Sequence, residues 1–344
     1  MRRGELPEAL GRTFSVTQAR GRGVTPSRLR ARDLARPFRG VRARTVERGD
    51  ALHAGASNSD ARHAAAQRDA RRAAAKPGRV TRKEAELREH ALAYALVMPA
   101  NQFFTHLTAA LLWGVPLPPR LILAAPLEPD VGVLSPARVP RNHGVHGHAV
   151  HADRASVVTH PRYRVQLASP ATTWAMLGAV LTDLRDLVAL GDALVREQMF
   201  SSTPPPLATI ANLAAVVGSG RRVGIASLRD ALPMIRTRSA SRPETWLRLL
   251  LVGAGLPEPD LNWELRVDGA VVAVIDLPYP ELKVAIEYEG EHHLTDGEQW
   301  DSDIARYEDL AAQGWIVVWV TREQLFRWPE NVLKRVRRAR ADRL

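Results

Sequence analysis

Residues 45–84 contain almost no large apolar side chain, and a stretch of that composition cannot bury enough surface to join a core. The run ALHAGASNSDARHAAAQRDARRAAAKPGRV is rich in Ala and Arg instead. It reads as a linker or as a single exposed helix, because both residues favour helix and Pro77-Gly78 would end one. The length of 344 residues argues for two or three domains rather than one. The expected organisation is an α+β multidomain protein: a small basic unit over 1–44, a linker over 45–84, a mixed α/β middle region over 85–235 and a C-terminal domain over 239–344.

Charge is distributed as unevenly as hydrophobicity. Residues 1–90 carry 22 Lys and Arg against 10 Asp and Glu, and the rest of the chain carries 26 against 27, so the net charge of +11 comes from the N-terminal quarter. The opposite bias marks 276–309, where eleven acidic residues face only Lys283 and Arg306. A basic head can neutralise phosphates, and a carboxylate cluster can hold a divalent cation that acts on them. The chain has no cysteine, which excludes a disulfide scaffold and a thiolate zinc site and leaves the reducing cytoplasm as the expected compartment. No apolar run approaches the ~20 residues of a membrane span, and the start MRRGELPEALGR lacks the apolar stretch of a signal peptide. A soluble protein with no membrane partner is expected.

Within 1–44, VTQARGRGVTPSRLRARDL reads as a short helix, a GRG turn, and a second helix with Thr25 as N-cap and Pro26 in its first turn. Helix, tight turn and helix form a helix-turn-helix pattern whose second element, Ser27 to Leu34, presents Arg28, Arg30 and Arg32 to a major groove. RPFRGVRAR, with Phe38 and Val41 among Arg39 and Arg42, reads as the β-wing of a winged helix. A solvated basic face would show the same pattern, so both readings stand.

From Ala85 the pattern is that of a folded domain. ELREHALAYALVMP and THLTAALLWGVPLP read as amphipathic helices; LILAAP, GVHGHAVHA and YRVQLASP read as short strands; helices follow from Ser169 and across TDLRDLVALGDALVRE, ANLAAVVGSG and GIASLRDALPMI. His143, His146, His148 and His151 fall close together, and a strand would put His146 and His148 on one face, as metal binding requires. Gly144 and Gly147 interrupt that strand, and the first carboxylate after it is Asp153. Surface-strand histidines are therefore expected here.

The C-terminal segment carries the chemistry. SRPETWLRLLLVG reads as a helix with Ser241 as N-cap and an apolar stripe of Trp246, Leu249 and Leu250. Three antiparallel strands follow, around Leu261–Val267, Val271–Asp276 and Leu282–Glu289, joined by an Asp268-Gly269 turn and by Pro278-Tyr279-Pro280. A helix over roughly 297–313, ended by Gly314, then leads to the strand WIVVWVT and a basic terminal helix. Glu287 and Glu289 share a face by the period of two, and the hairpin brings Asp276 alongside. Three converging carboxylates suit Mg²⁺ or Mn²⁺, which can activate a water for attack on a phosphodiester. Glu287 is the hardest of them to read as a surface residue, because VAIEYEG places a charge within a buried run.

In its ordered combination of Asp276, IEYEG, His293, Asp303–Arg306 and the GWIVV strand, residues 239–340 resemble the PD-(D/E)XK (restriction-endonuclease-like) nuclease superfamily, most of all the branch related to very-short-patch repair endonucleases. The N-terminal unit and middle region resemble the winged-helix and following domain of abortive-infection (AbiEi-like) antitoxins. The resemblance implies metal ligation by Asp276 and Glu287, with Glu289 where the superfamily usually has a lysine. A carboxylate cannot stabilise the attacking hydroxide as that lysine does, so His293, Arg306 or Lys283 would supply the missing donor. Glu244 matches an acidic residue that relatives place on the first helix, and is equally explained as half of an SxxE capping box. Asp303 and Arg306 at i,i+3 also fit a surface salt bridge, and Trp300, Trp315 and Trp319 fit a core.

The expected function is thus a Mg²⁺- or Mn²⁺-dependent DNA endonuclease, catalytic through Asp276, Glu287, Glu289, His293, Glu244 and Arg306, with double-stranded DNA as partner and a role in repair or in phage or toxin-antitoxin defence. The rival is a DNA-binding regulator or antitoxin with a cognate toxin as partner, in which the nuclease-like domain has become an interaction module. A general nucleic-acid-associated protein with non-specific affinity is the third reading.

Overall fold

The computed structural model describes residues 6–45, 78–141, 143–199, 204–289 and 310–344. Most of the expected 45–84 linker therefore lies outside the described residues. Those that are described form two compact units, one ending at Met176 and the other running from Leu177 to Leu344. The helices between Leu184 and Ala231 thus belong with the C-terminal strands. The architecture is α+β in both units. Among the described residues no helix is long and apolar enough to cross a membrane.

The first unit starts with β1 (Thr13–Ser15), α1 (Val16–Gly21), β2 (Leu34–Ala35) and β3 (Val41–Arg44). The strands form an antiparallel sheet in the order β1-β3-β2 around a core of Leu6, Leu10, Phe14, Ala19, Val24, Leu29 and Leu34. A capping box starts α1: Ser15 Oγ accepts from Gln18 N, and Gln18 Oε1 accepts from Ser15 N. The second helix expected over Ser27 to Leu34 is only a 3₁₀ turn at Arg28–Arg30. Its apolar residues Leu29 and Leu34 are five apart, so a full helix would not place both on one face, and the 3₁₀ turn lets both enter the core. The loop into β3 does not stand free as a wing. Phe38 is buried against His90 and Tyr94, with ring centroids 4.6 and 5.1 Å away.

The rest of this unit is α2 (Arg79–Ala95), β4 (Gln102–Phe104), α3 (His106–Trp113), α4 (Pro119–Ala124), β5 (Asp130–Leu134), β6 (His146–Val150), β7 (Val157–Thr159), β8 (Gln166–Ala168) and α5 (Pro170–Leu177), which runs one residue into the second unit. Gly114 in the left-handed region closes α3. The five strands form a mixed sheet, β6-β5-β4-β8-β7, in which β5/β6 and β4/β8 are parallel. LILAAP, expected as a strand, falls largely in α4, because Pro118 and Pro119 preset the φ of a helix start.

The second unit contains α6 (Leu184–Val195), α7 (Ile210–Gly218), α8 (Ile225–Ala231), α9 (Arg242–Gly253), β9 (Trp263–Val267), β10 (Ala270–Ile275), β11 (Leu277–Tyr279), β12 (Val284–Glu289), β13 (Ile316–Thr321), α10 (Arg322–Arg327) and α11 (Pro329–Ala341). β9 and β10 form an antiparallel hairpin; β11, β12 and β13 form a second sheet in which β11/β12 is antiparallel and β12/β13 parallel. β11 forms where Pro278-Tyr279-Pro280 was expected as a connection, so four strands stand where three were expected, and they fall into two separate sheets. Leu247 and Leu251 of α9 pack with Leu277, Val284, Ile286, Val318 and Val320 of the sheet and with Val332 and Val336 of α11. Each such fully buried aliphatic side chain contributes about 1.5–3 kcal/mol. Of the helix expected over 297–313, only the end from Leu310 is described.

Candidate functional site

In the second unit the antiparallel register of β11 and β12 pairs Leu277 with Ile286. One step further along that register, Asp276 lies across from Glu287. The Asp276 carboxylate accepts a hydrogen bond from Tyr288 N at 2.9 Å, so it sits toward the end of β12 and not at its beginning. Glu287 is only 1% exposed, although its strand neighbours Ala285 and Ile286 are apolar and buried. Glu289 follows on the same face, half-buried, and pairs in register with Thr321 of β13. Asp276 and Glu287 are thus adjacent across the sheet, with Glu289 next along the strand.

Glu244, in the first turn of α9, belongs to the same neighbourhood. Its carboxylate accepts from Ala240 N at 2.9 Å and Asn262 Nδ2 at 2.8 Å, while Ser241 Oγ accepts from Glu244 N. Ser241 therefore caps the helix as expected, but the glutamate returns to the backbone one residue before the cap and ties down Asn262. Burial, and then the charge of Asp276, push the Glu244 carboxyl up to about 7. Asn262 itself is buried with a positive φ of 44°, and its backbone N–H donates to Asp276 O. It links the helix acid to the strand acid. Sequence reasoning passed it over, because nothing around Asn262 marks it beyond its place before a strand.

The remaining expected residues divide. His293, Arg306, Asp303 and Trp300 lie outside the described residues. Lys283, a candidate for the missing donor, takes a positive φ of 48° just before β12; its backbone N–H closes a turn onto Pro280 O, and its exposed ammonium donates to Gln313 O at 3.0 Å. Trp315 is buried 5.6 Å from the Trp263 ring, as a core residue.

The five expected DNA-contacting arginines also split. Arg28 forms a two-pronged pair with Asp33 at 2.9 and 2.7 Å. Arg42 donates to Leu29 O and Val41 O, and burial and then Arg36 lower its pKa. These two side chains hold the 3₁₀ turn against the sheet and are not presented together on a recognition helix. Arg30, Arg32 and Arg39 are exposed.

In the first unit the structure brings together a cluster that the sequence did not disclose. The β5/β6 pairing sets Asp130 beside His146 and Gly132 beside His148. Asp130 Oδ1 lies 3.0 Å from His146 Nδ1 and 2.8 Å from His148 Nε2. His106, the first residue of α3, stacks on His148 with ring centroids 4.1 Å apart. Backbone stitching explains the convergence: Thr105 N donates to Asp130 O, and Asp130 N donates to Thr108 Oγ1. Burial, then the neighbouring His148, lower the His106 pKa to about 4, so this imidazole is neutral at physiological pH. Burial pushes Asp130 upward, but its hydrogen bond to His148 and the surrounding imidazoles leave it below its usual value. The expectation of surface-strand histidines without a nearby carboxylate is therefore corrected, since the carboxylate comes from the adjacent strand. His106, Asp130 and His148 offer ligand atoms within 4.8 Å of one another and can hold a metal ion.

Two uncharacterized proteins of Mycobacterium tuberculosis, one from strain CDC 1551 / Oshkosh and one from strain ATCC 25618 / H37Rv, are each 32% identical to the chain over 120 residues. That match covers 35% of this chain and 44% of each relative. No family model matches the chain. No solved structure matches it.

Proposed function

We propose that the second unit is a divalent-metal-dependent DNA endonuclease, with Asp276 and Glu287 as the metal-holding pair and Glu289 beside them. The observation that carries this reading is the position of Asp276 across from a 1% exposed Glu287 on the neighbouring strand. Two acids placed side by side with burial on one of them repel, and a bound cation would relieve that repulsion. The order of helix, antiparallel strands and a parallel last strand supports the nuclease-like reading of 239–344.

The residue types fit the implied ion, but Asp276, Glu287, Glu289 and Glu244 do not bring three ligand atoms within 4.8 Å of one another as the expected three-carboxylate cluster would, so a cation would rest on the Asp276–Glu287 pair and waters. All the groups are carboxylate oxygens, as Mg²⁺ and Mn²⁺ prefer; burial first and the charge of Asp276 second push the Glu244 carboxyl up, and a cation would relieve the second of these. When bound, such an ion supplies Lewis-acid polarisation of a phosphoryl oxygen and lowers the pKa of a coordinated water. The chain does the positioning. Tyr288 N fixes one oxygen of Asp276, and the Glu244–Asn262 link holds the backbone that carries it. DNA affinity comes from the exposed Arg30, Arg32 and Arg39 and acts through phosphates.

The test is plasmid nicking in a Mg²⁺ and Mn²⁺ titration, comparing wild type with Glu287→Ala and Asp276→Ala. Metal-dependent nicking that falls at least about 100-fold in both variants is expected, the scale of losing a charge-stabilising group at a reacting centre. A wild type that cleaves neither double- nor single-stranded DNA sinks the catalytic reading. One observation favours a second reading, a DNA-binding regulator whose nuclease-like site is silent: Glu289 stands where the resembled superfamily usually has a lysine. Protection of a promoter fragment without cleavage in Mg²⁺ would be its signature.

A further inference from the structure

We propose that the first unit carries a second metal site, of a different chemical class, in which His106, Asp130 and His148 hold a zinc-type divalent ion. The donors are two imidazole nitrogens and one carboxylate oxygen. That set suits borderline ions such as Zn²⁺ and Co²⁺, whereas the all-oxygen site of the second unit suits Mg²⁺ or Mn²⁺. Three protein ligands leave a coordination position for water.

The ligands come from three separate elements, and the fold is specialised to bring them together. Gly147, between the two strand histidines, lies so close to the preceding loop that a Cβ there would be 2.1 Å from Pro140 O. At Gly132, directly beside His148 in register, a Cβ would be 2.6 Å from the Thr105 methyl. Both positions require glycine if β6 and the corner before α3 are to approach β5 this closely. His106 adopts a positive φ of 43°, a strained conformation for a non-glycine residue that clusters at functional sites.

The corner also leaves buried polar atoms unsatisfied. Thr105 Oγ1 and His106 Nδ1 are both buried without a hydrogen-bond partner. A buried polar atom left without a partner is costly, a deficit that an ion with its coordinated water can reduce. His148 Nε2 and Asp130 Oδ1 already stand 2.8 Å apart, and neighbouring ligands of a tetrahedral zinc ion are about 3.3 Å apart. Closing the widest pair from at most 4.8 Å to that spacing asks for a shift of about 1.5 Å or less. His146, 67% exposed and hydrogen-bonded to Asp130 Oδ1, then acts as an outer partner that orients the carboxylate. An ion there would tie α3, β5 and β6 together across long sequence separations.

The test uses the full chain, stripped of metal and titrated with Zn²⁺ alone by calorimetry, with thermal melting in parallel. One Zn²⁺ per chain and a higher melting temperature are expected for wild type and for Glu287→Gln. His106→Ala, Asp130→Asn and His148→Ala should each lose at least tenfold in affinity. Because these variants can lose their fold, Co²⁺ added to wild type gives an independent reading: a visible absorption band of four- or five-coordinate Co²⁺ with nitrogen ligands. No Zn²⁺ binding and no such band in wild type, or binding lost in Glu287→Gln and kept in His148→Ala, overturns the proposal.

Discussion

Arg248 and Asp192 form the most deeply buried ion pair among the described residues, and Arg248→Met tests what it does. The two side chains are 1% and 2% exposed and meet at 3.1 Å. Arg248 also donates to Met234 O and to Glu258, both at 2.8 Å, while its Nε is buried without a partner. Met keeps most of the aliphatic volume but leaves Asp192 buried without its cation, and breaking such a pair costs about 3–5 kcal/mol. Asp192 still accepts from Arg236 N at 2.7 Å and Thr245 Oγ1 at 2.8 Å, which places the expected loss near the lower end, at about 3 kcal/mol.

Urea denaturation reads that loss as a midpoint shift of about 1.5 M for a slope of about 2 kcal/mol/M. Burial already holds the Asp192 carboxyl above its usual pKa, even though Arg248 pulls it down. Removing the arginine widens the window in which the unfolded chain ionises Asp192 more readily than the folded one. Stability carried by a raised carboxyl is present at acid pH and lost as pH rises through the folded value, so the variant's deficit should be largest at neutral pH and narrow toward pH 4. Arg248→Met with Asp192→Asn should recover part of the loss, since the buried charge is gone. A single-variant cost below about 1 kcal/mol, which is the range of an exposed pair, or a double variant no more stable than the single, would refute the reasoning. The pair locks α6 to α9, the helix that carries Glu244.

Three further outcomes follow from the same geometry. Glu244→Gln keeps an acceptor for Ala240 N and Asn262; with the native carboxyl raised to about 7 from 4.5, the glutamate's stability is present below pH 4.5 and lost toward pH 7, so the variant should be the more stable protein at pH 8 by up to about 3 kcal/mol, and a pH-independent difference in urea melts would contradict this. Gly147→Ala forces a Cβ against Pro140 O and should destabilise the first unit by about 1–3 kcal/mol, an effect that an unchanged thermal melt would exclude. Arg30→Ala and Arg39→Ala should each lower the salt slope of DNA binding by about one, whereas Arg42→Ala should lower the melting temperature, because Arg42 is spent on Leu29 O and Val41 O; equal salt slopes for all three variants would overturn the distinction.

Local signals carried much of the architecture. The cap at Ser241, the Asp268-Gly269 turn and the β-branched run of Val284–Glu289 each act within a few residues, and elements formed where those signals stood. Glu287 was legible for the same reason: a charge inside a buried strand run contrasts with its immediate neighbours. Pattern failed where tertiary context outweighed it. LILAAP has the composition of a strand, yet the prolines before it start a helix, and SRLRARDL has the composition of a basic helix, yet its two leucines enter one core from a 3₁₀ turn.

By itself the sequence determined that the positive charge lies at one end and clustered acids near the other. Those properties depend on composition and order alone. Only the tertiary structure decided that Asp276 lies across from Glu287, that Arg28 and Arg42 serve the fold, and that Asp130 reaches His148 and His106. The physical reason is that a strand's periodicity says which face a residue occupies but not which strand lies beside it, and sites built from several elements are set by strand order and register.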